Sequence, residues 1–422
     1  GIPGGQWFVE KFRDPVLGWA YDHLKGPDSF MDVLYDTDSS PKKPPYDLEP
    51  VRCFRNTGIT VFKSGWEKDD FVFVMQTGSF YNHQHFHQGN FFLADRGDVF
   101  VDRRRGSHYW YYSYDPLYLP WFIQPTGYST ILIDNNRQSQ RTGDPIGYIP
   151  GFEDRAFIHQ FLNGRDAAFV SGDMTRIYWG KARSLRRNVL FLKPRTVLML
   201  DTIVPGERDI DATLLYQAVR LDDVTADSSV SRIKKSGGIL HILHLNPEQR
   251  KVAIEEAPHY IFTVKDTSTP LEREGMLTLT TRTEGKPLVI ANLLTVTPGG
   301  APDVHTERRA NSITATAGGK PFAFSTRPGS LYNALGVSTD ALAMTGDGSH
   351  LFCALATVVK KNGRTLIHVT SPATFELSQG FARLTLSEKS TVMIGVDKRP
   401  PTLRLNGRDV KSAYARNAGT VK

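Results

Sequence analysis

Cysteine is nearly absent: the 422-residue chain has two, Cys53 and Cys353, far apart in sequence. Such a pair makes neither a zinc pattern nor a disulfide framework, and each thiol is expected to act as a small buried core residue. No apolar run reaches the ~18 residues a spanning helix needs, so no membrane span is expected. Fixed-period repeats and low-complexity tracts are missing too. So are an initiator methionine and a signal peptide. The chain opens Gly1-Ile2-Pro3 and is expected to be a processed form, a fragment or one chain of a larger protein.

What is present is globular. The chain is 40% hydrophobic and 23% charged, which supplies ample core. Its net charge of +7 favours an anionic partner: nucleic acid, an anionic lipid surface or an acidic polysaccharide.

Three regions differ in pattern. Residues 1–45 begin with "VEKFRDPVLGWAYDHL", where Phe12, Val16, Trp19, Ala20 and Leu24 fall near helical spacing. The proline-rich "SPKKPPYD" then breaks the helix and reads as a linker. From about residue 50 the period becomes two, in "GITVFKSGW", "DDFVFVMQTG", "NFFLADRGDVFVD" and "RRNVLFLKPRTVLMLDTIVP". Strands this dense predict an all-β fold, a large antiparallel β-sandwich over 46–300. "PGGAP" at 298–302 is a plausible seam, and 301–422 reads as a smaller C-terminal β region.

The stretch "NHQHFHQG" sets His83, His85 and His87 at alternate positions. In an extended strand all three would share one face. That face is either simply wet or a site. Acid follows at Asp98 and Asp102. A His-x-His pair with a carboxylate suits zinc, or a histidine base held by a second carboxylate. The cupin pattern is disfavoured, because no glutamate follows in the required window.

Next comes "VDRRRGSHYWYYSYDP". Arg103, Arg104 and Arg105 present guanidinium forks that match carboxylates and sulfates. His108, Tyr109, Trp110 and Tyr111 add a polar group and flat rings that stack on sugars or bases. No RNP sequence or helix-turn-helix signature accompanies them, so carbohydrate is the better expectation and nucleic acid is not expected. His241 and His244 in "LHILHL" read as an ordinary, partly exposed strand.

Over roughly residues 50–300 the sequence resembles the heparinase II/III-like polysaccharide lyases. The resemblance rests on "GITVFKSGWEKDDFVFVMQTG", "NHQHFHQGNFFLADRGDVFVDR", "YSTILIDNNRQSQ" and "DAAFVSGDMTRIYW...RRNVLFLKPRTVLMLDTIVP", in that order. It implies a sandwich of the supersandwich type, packed in the family against an N-terminal α/α-toroid. Residues 1–45 would be the toroid's last piece. The remainder would lie upstream or on a companion chain.

The resemblance also implies β-elimination at a uronic acid of a heparin/heparan sulfate-like or alginate-like glycan, by an exported enzyme, periplasmic or secreted. His83 matches the family's catalytic histidine. His85 and Asp102 match ligands of a structural divalent cation, zinc or calcium. Tyr128 stands where the family has a further ligand, and it is a candidate proton donor along with Tyr109, Tyr111, Tyr112 and Tyr114; His87 is a substitute ligand. The rival expectations are a non-catalytic module for acidic carbohydrate and a metal-dependent hydrolase or oxygenase.

Overall fold

The computed structural model describes residues 5–24, 40–79, 85–102, 124–136, 139–140, 155–218, 220–256, 275–347, 349–378 and 381–395, with short strand pieces at 404–405, 408–409, 414–415 and 420–421. Two α-helices, Gly5–Phe12 and Pro15–Leu24, open the chain. Asp14 caps the second: its Oδ1 accepts from the Leu17 backbone amide at 2.9 Å, and Pro15 takes the first helical position. Beyond them the described chain is β-structure with a few short 3-10 turns, and every strand pair is antiparallel.

A five-stranded meander comes first: Arg52–Phe54, Ile59–Lys63, Val72–Gln76, Phe91–Asp95 and Asp98–Val101. An eight-stranded sheet is the centre. Its innermost strands are Ala182–Leu192, Thr196–Pro205 and Leu288–Thr297. A four-stranded sheet runs Lys251–Glu256, Gly275–Arg282, Asp211–Ala218, Ile131–Ile133. The C-terminal region, from Val304–Arg308 onward, forms a twelve-stranded sheet and a separate two-stranded piece, Arg404–Leu405 with Arg408–Asp409.

The central strands are apolar at consecutive positions because both faces are covered. Val189, Phe191, Val197, Met199, Ile290 and Leu294 point into a core shared with Phe62, Phe73, Phe91, Leu214 and Tyr216 of the five- and four-stranded sheets. The alternate residues Leu190, Leu192, Leu198, Leu200, Val289 and Leu293 point the other way. They meet Ile313, Phe322, Phe324 and Phe352 of the C-terminal sheet. Period two divides one strand between two cores.

Polar ties reinforce the second contact. Gln160 Nε2 donates to the Pro372 carbonyl at 2.6 Å, and the Thr374 hydroxyl donates to Gln160 Oε1 at 2.7 Å. Buried Glu376 accepts from the Arg165 amide and pairs with His350 Nε2, both at 2.7 Å.

His241 and His244 differ from the expected exposed pattern. Both are buried, because the strand Gly238–Asn246 belongs to the doubly covered sheet. His244 Nδ1 donates to Asn292 Oδ1 at 2.8 Å, and Nε2 accepts from the Ser231 hydroxyl at 2.9 Å. One neutral tautomer satisfies both bonds. Burial, with the Arg250 charge, outweighs the Asn292 bond and lowers its pKa to about 4. The neutral form is therefore the native one. Its contribution is complete above pH ~6.5 and fades as pH falls toward ~4, by up to roughly 3 kcal/mol. The unfolding midpoint of His244→Gln, followed from pH 7 to pH 4, is expected to fall less steeply than that of the native chain. Parallel curves would refute the assignment.

The candidate active-site loops

The described part of the histidine stretch is a turn. His87 N donates to the His85 carbonyl at 3.0 Å, and Asn90 N to the His87 carbonyl at 2.9 Å. The strand starts only at Phe91. His85 and His87 thus do not share the face of an extended strand, although their rings stay close, 6.4 Å apart and nearly perpendicular. Gly89 explains the turn. Its φ is +78°, and a Cβ there would strike the Met174 side chain. Only glycine meets both demands without strain.

Glutamines hold this loop from outside. Gln140 Oε1 accepts from the Gln88 amide at 2.9 Å, and its Nε2 donates to the Gln88 carbonyl at 2.7 Å. The same Nε2 faces the Thr130 and Tyr178 hydroxyls at 3.1 and 3.2 Å. Tyr178 in turn donates to the Ile131 carbonyl at 2.7 Å; burial pushes its pKa up to about 12 and keeps it a neutral donor. Thr130 Oγ1 donates to the Gln88 carbonyl at 2.6 Å, and Asn90 Oδ1 accepts from the Ser129 amide at 2.8 Å. The loops 85–90 and 124–130 are thereby joined.

Beneath both lies Arg187, the largest fully buried side chain. Its Nε and Nη2 grip Asp201 Oδ1 and Oδ2 at 2.8 and 3.1 Å. Its Nη1 donates to the Gly89 and Ser129 carbonyls, the latter at 2.9 Å. One guanidinium therefore fastens both loops to the central sheet. Burial pushes the Asp201 carboxyl up, and the facing guanidinium pulls it back. An ion pair this deep stands only because each partner neutralises the other.

The result is a contact between two sequence-nominated residues. The Tyr128 hydroxyl pairs with His85 Nδ1, and the His87 ring lies 5.2 Å from the Tyr128 ring. Asp102 follows the strand Asp98–Val101, and its amide donates to the Gln217 carbonyl at 3.2 Å. Gln217 Nε2 donates to the Tyr128 carbonyl at 3.2 Å, so Gln217 links Asp102 to the tyrosine segment. Asp98 is employed elsewhere, accepting from the Ser236 hydroxyl and the Gly237 amide. Of the other nominated residues, His83, Arg103, Arg104, Arg105, His108, Tyr109, Trp110 and Tyr111 lie outside the described residues.

Among the described residues, no group of three His, Cys, Asp or Glu side chains gathers closely enough to hold a metal ion. With Tyr128 on its Nδ1, His85 and Asp102 fall short of a complete ligand set. Sequence reading missed Gln140 and Gln217 altogether. Arg187 and Asp201 left a signal: two charges in apolar runs, equidistant from Pro194 and paired in register across the hairpin.

No family model matches the chain, and neither does any curated protein. Solved structures do match. A heparan sulfate lyase from Pedobacter heparinus aligns with a TM-score of 0.56 at 18% identity, over 75% of this chain and 47% of that one. A heparinase III aligns with a TM-score of 0.57 at 12% identity, over 76% and 48%. A second heparinase III gives 0.54 at 13%, over 76% and 47%. The chain spans just under half the length of each of these structures. At such identities the likeness is one of fold, and the fold is that of a large part of these lyases.

Proposed function

We propose that this chain is the β-sandwich part of a polysaccharide lyase that cleaves a uronic-acid-containing glycan by β-elimination. The observation that carries the reading is the Tyr128–His85 pair, fastened by Arg187 on a fold shared with heparan sulfate lyases. In the proposed step a base takes the proton from C5 of the uronate. The released electron pair forms the C4=C5 bond, the C4–O4 bond breaks, and an acid gives O4 a proton. The uronate carboxylate must be neutralised while negative charge develops beside it.

His83 is proposed as base or carboxylate neutraliser, and Tyr128 as proton donor. A phenol against an imidazole nitrogen is suited to that donation, because the ring can return the proton between turnovers. Arg103, Arg104 and Arg105, with His108, Tyr109, Trp110 and Tyr111, are proposed to hold the acidic chain. A helical domain, upstream or on a companion chain, would form the cleft's other wall. Trp7, Phe8 and Phe12, 45%, 48% and 62% exposed, offer apolar surface for it. Export to the periplasm or beyond belongs to the same reading.

The test is the product. Incubated with heparan sulfate and with alginate, the protein joined to its helical half is expected to generate the ultraviolet absorbance of an unsaturated uronate. Cleavage giving only saturated ends would refute elimination and favour a hydrolase. A structural cation at His85 and Asp102 is a separate proposal; His87, the substitute ligand, does not gather with them closely enough to complete the set, so a third ligand would have to come from outside the described residues. Elemental analysis of the dialysed protein should find one equivalent of zinc or calcium; finding none would end that proposal.

A further inference from the structure

The short turn Thr175–Tyr178 joins two neighbouring strands of the central sheet, Ala167–Asp173 and Ala182–Leu192. It is firmly held. Thr175 N donates to Asp173 Oδ1, and Leu185 N donates to Thr175 Oγ1, both at 3.0 Å. Ile177 and Tyr178 are fully buried. The turn also backs the candidate active-site loops. The Met174 side chain closes against Gly89, and the Tyr178 hydroxyl reaches the Ile131 carbonyl at 2.7 Å.

Trp179 comes next, and its setting is costly. Its φ is +46°, in the left-handed region, and its amide donates to the Arg176 carbonyl at 3.2 Å to close the turn. Glycine or asparagine fills such a position cheaply, and a bulky side chain does not. Burial does not repay the strain, because Trp179 is 48% exposed. A strained backbone holding a large apolar ring in water points to a partner outside the chain.

The surroundings give that partner its chemistry. From Met174 to Leu200 the sequence holds no aspartate or glutamate. Arg176 and Arg183, both exposed, flank the tryptophan in sequence. Arg183 engages the Pro205 carbonyl through Nε at 3.0 Å, and its two Nη groups have no partner among the described residues. Beside the ring, Gly180 has φ +71°, and a Cβ there would meet nothing within 4 Å. The approach to the indole from that side is open.

We propose that Trp179 is a stacking platform for one sugar ring of the acidic glycan, an outer subsite beside the candidate active-site loops. Arg183 takes a carboxylate or sulfate of the same chain. This rests on the uronate-glycan reading above and adds a specificity-determining residue to it. A flat indole covers the apolar face of a pyranose, and a guanidinium fork matches the anion. A neutral glycan would leave Arg183 unmatched. A simple anion would leave the ring bare.

Calorimetric titration of the full chain with a heparan sulfate hexasaccharide and an alginate hexasaccharide tests this. Cellohexaose and a single-stranded DNA hexamer are the controls. At least one uronate chain is expected to bind about tenfold tighter than either control. Trp179→Asn should weaken that binding about tenfold, and Trp179→Tyr should restore most of it. Arg183→Gln should weaken it as well. The unfolding midpoint of Trp179→Asn should hold or rise, because asparagine accepts the left-handed backbone. Lost affinity without lost stability is a result that a merely structural tryptophan does not give. In elimination assays the same variant should raise KM and leave kcat nearly unchanged. Because binding is read directly, a chain that binds without eliminating would remove the lyase reading and leave the subsite in place. Absence of uronate binding would overturn the proposal, as would a control that binds equally well. So would native affinity in Trp179→Asn or Arg183→Gln, or affinity and unfolding midpoint falling together in Trp179→Asn.

Discussion

Arg187→Ala is expected to cost the fold about 3–5 kcal/mol, the range for removing one partner of a buried ion pair. The guanidinium is fully buried, and its loss strands Asp201, also fully buried, as an unpaired carboxylate. It also removes the donor shared by the Gly89 and Ser129 carbonyls. The two effects can be separated. The double variant Arg187→Met, Asp201→Leu removes both charges and should regain most of the lost stability. It leaves both carbonyls without their donor, so loops 85–90 and 124–130 should remain loose and elimination slow. Denaturant midpoints at constant m-value, with initial elimination rates, give both readings. A single variant as stable as the native protein would mean that the pair is not the fastening described.

Tyr128→Phe is expected to lower kcat for elimination by about 10²–10⁴, the range for losing a general acid or base. The change removes one oxygen. The buried ring stays, and so do the backbone bonds of the segment to Gln217. The unfolding midpoint and KM should therefore move little. His83→Ala should cause a loss of similar size. Phenylalanine at 128 supporting most of the native kcat would leave Tyr128 only a packing role, and the proton donor would have to be sought elsewhere. A parallel loss of stability would point to the same conclusion.

The two predictions draw on different kinds of legibility. Alternating runs such as "GITVFK" and "FVFVMQ" announced strands directly, since each buries one face. "NVLFL" and "TVLML" announced strands too. Their unbroken apolar character held the further information that both faces are covered, and that is where the reading of His241 and His244 as partly exposed went astray. The histidine motif suggested the wrong backbone. Alternation implies an extended face only while the chain stays extended, and Gly89 turns it. Gln140 and Gln217 carry no signal because an amide that bonds backbone has no preferred spacing from its partner. Their roles exist only once Gln88, Thr126 and Tyr128 have been folded beside them.

The central sheet serves as a party wall. Each of its inner strands sends alternate side chains into two different rooms. A chain cut after the "PGGAP" seam would not shed an appendage. It would bare Leu190, Leu192, Leu198, Leu200, Val289 and Leu293 as one contiguous greasy surface. Such a fragment should aggregate even though the loops carrying His85 and Tyr128 lie against the opposite face. The two rooms should then melt together, and the last third of the chain becomes a condition for solubility of the rest.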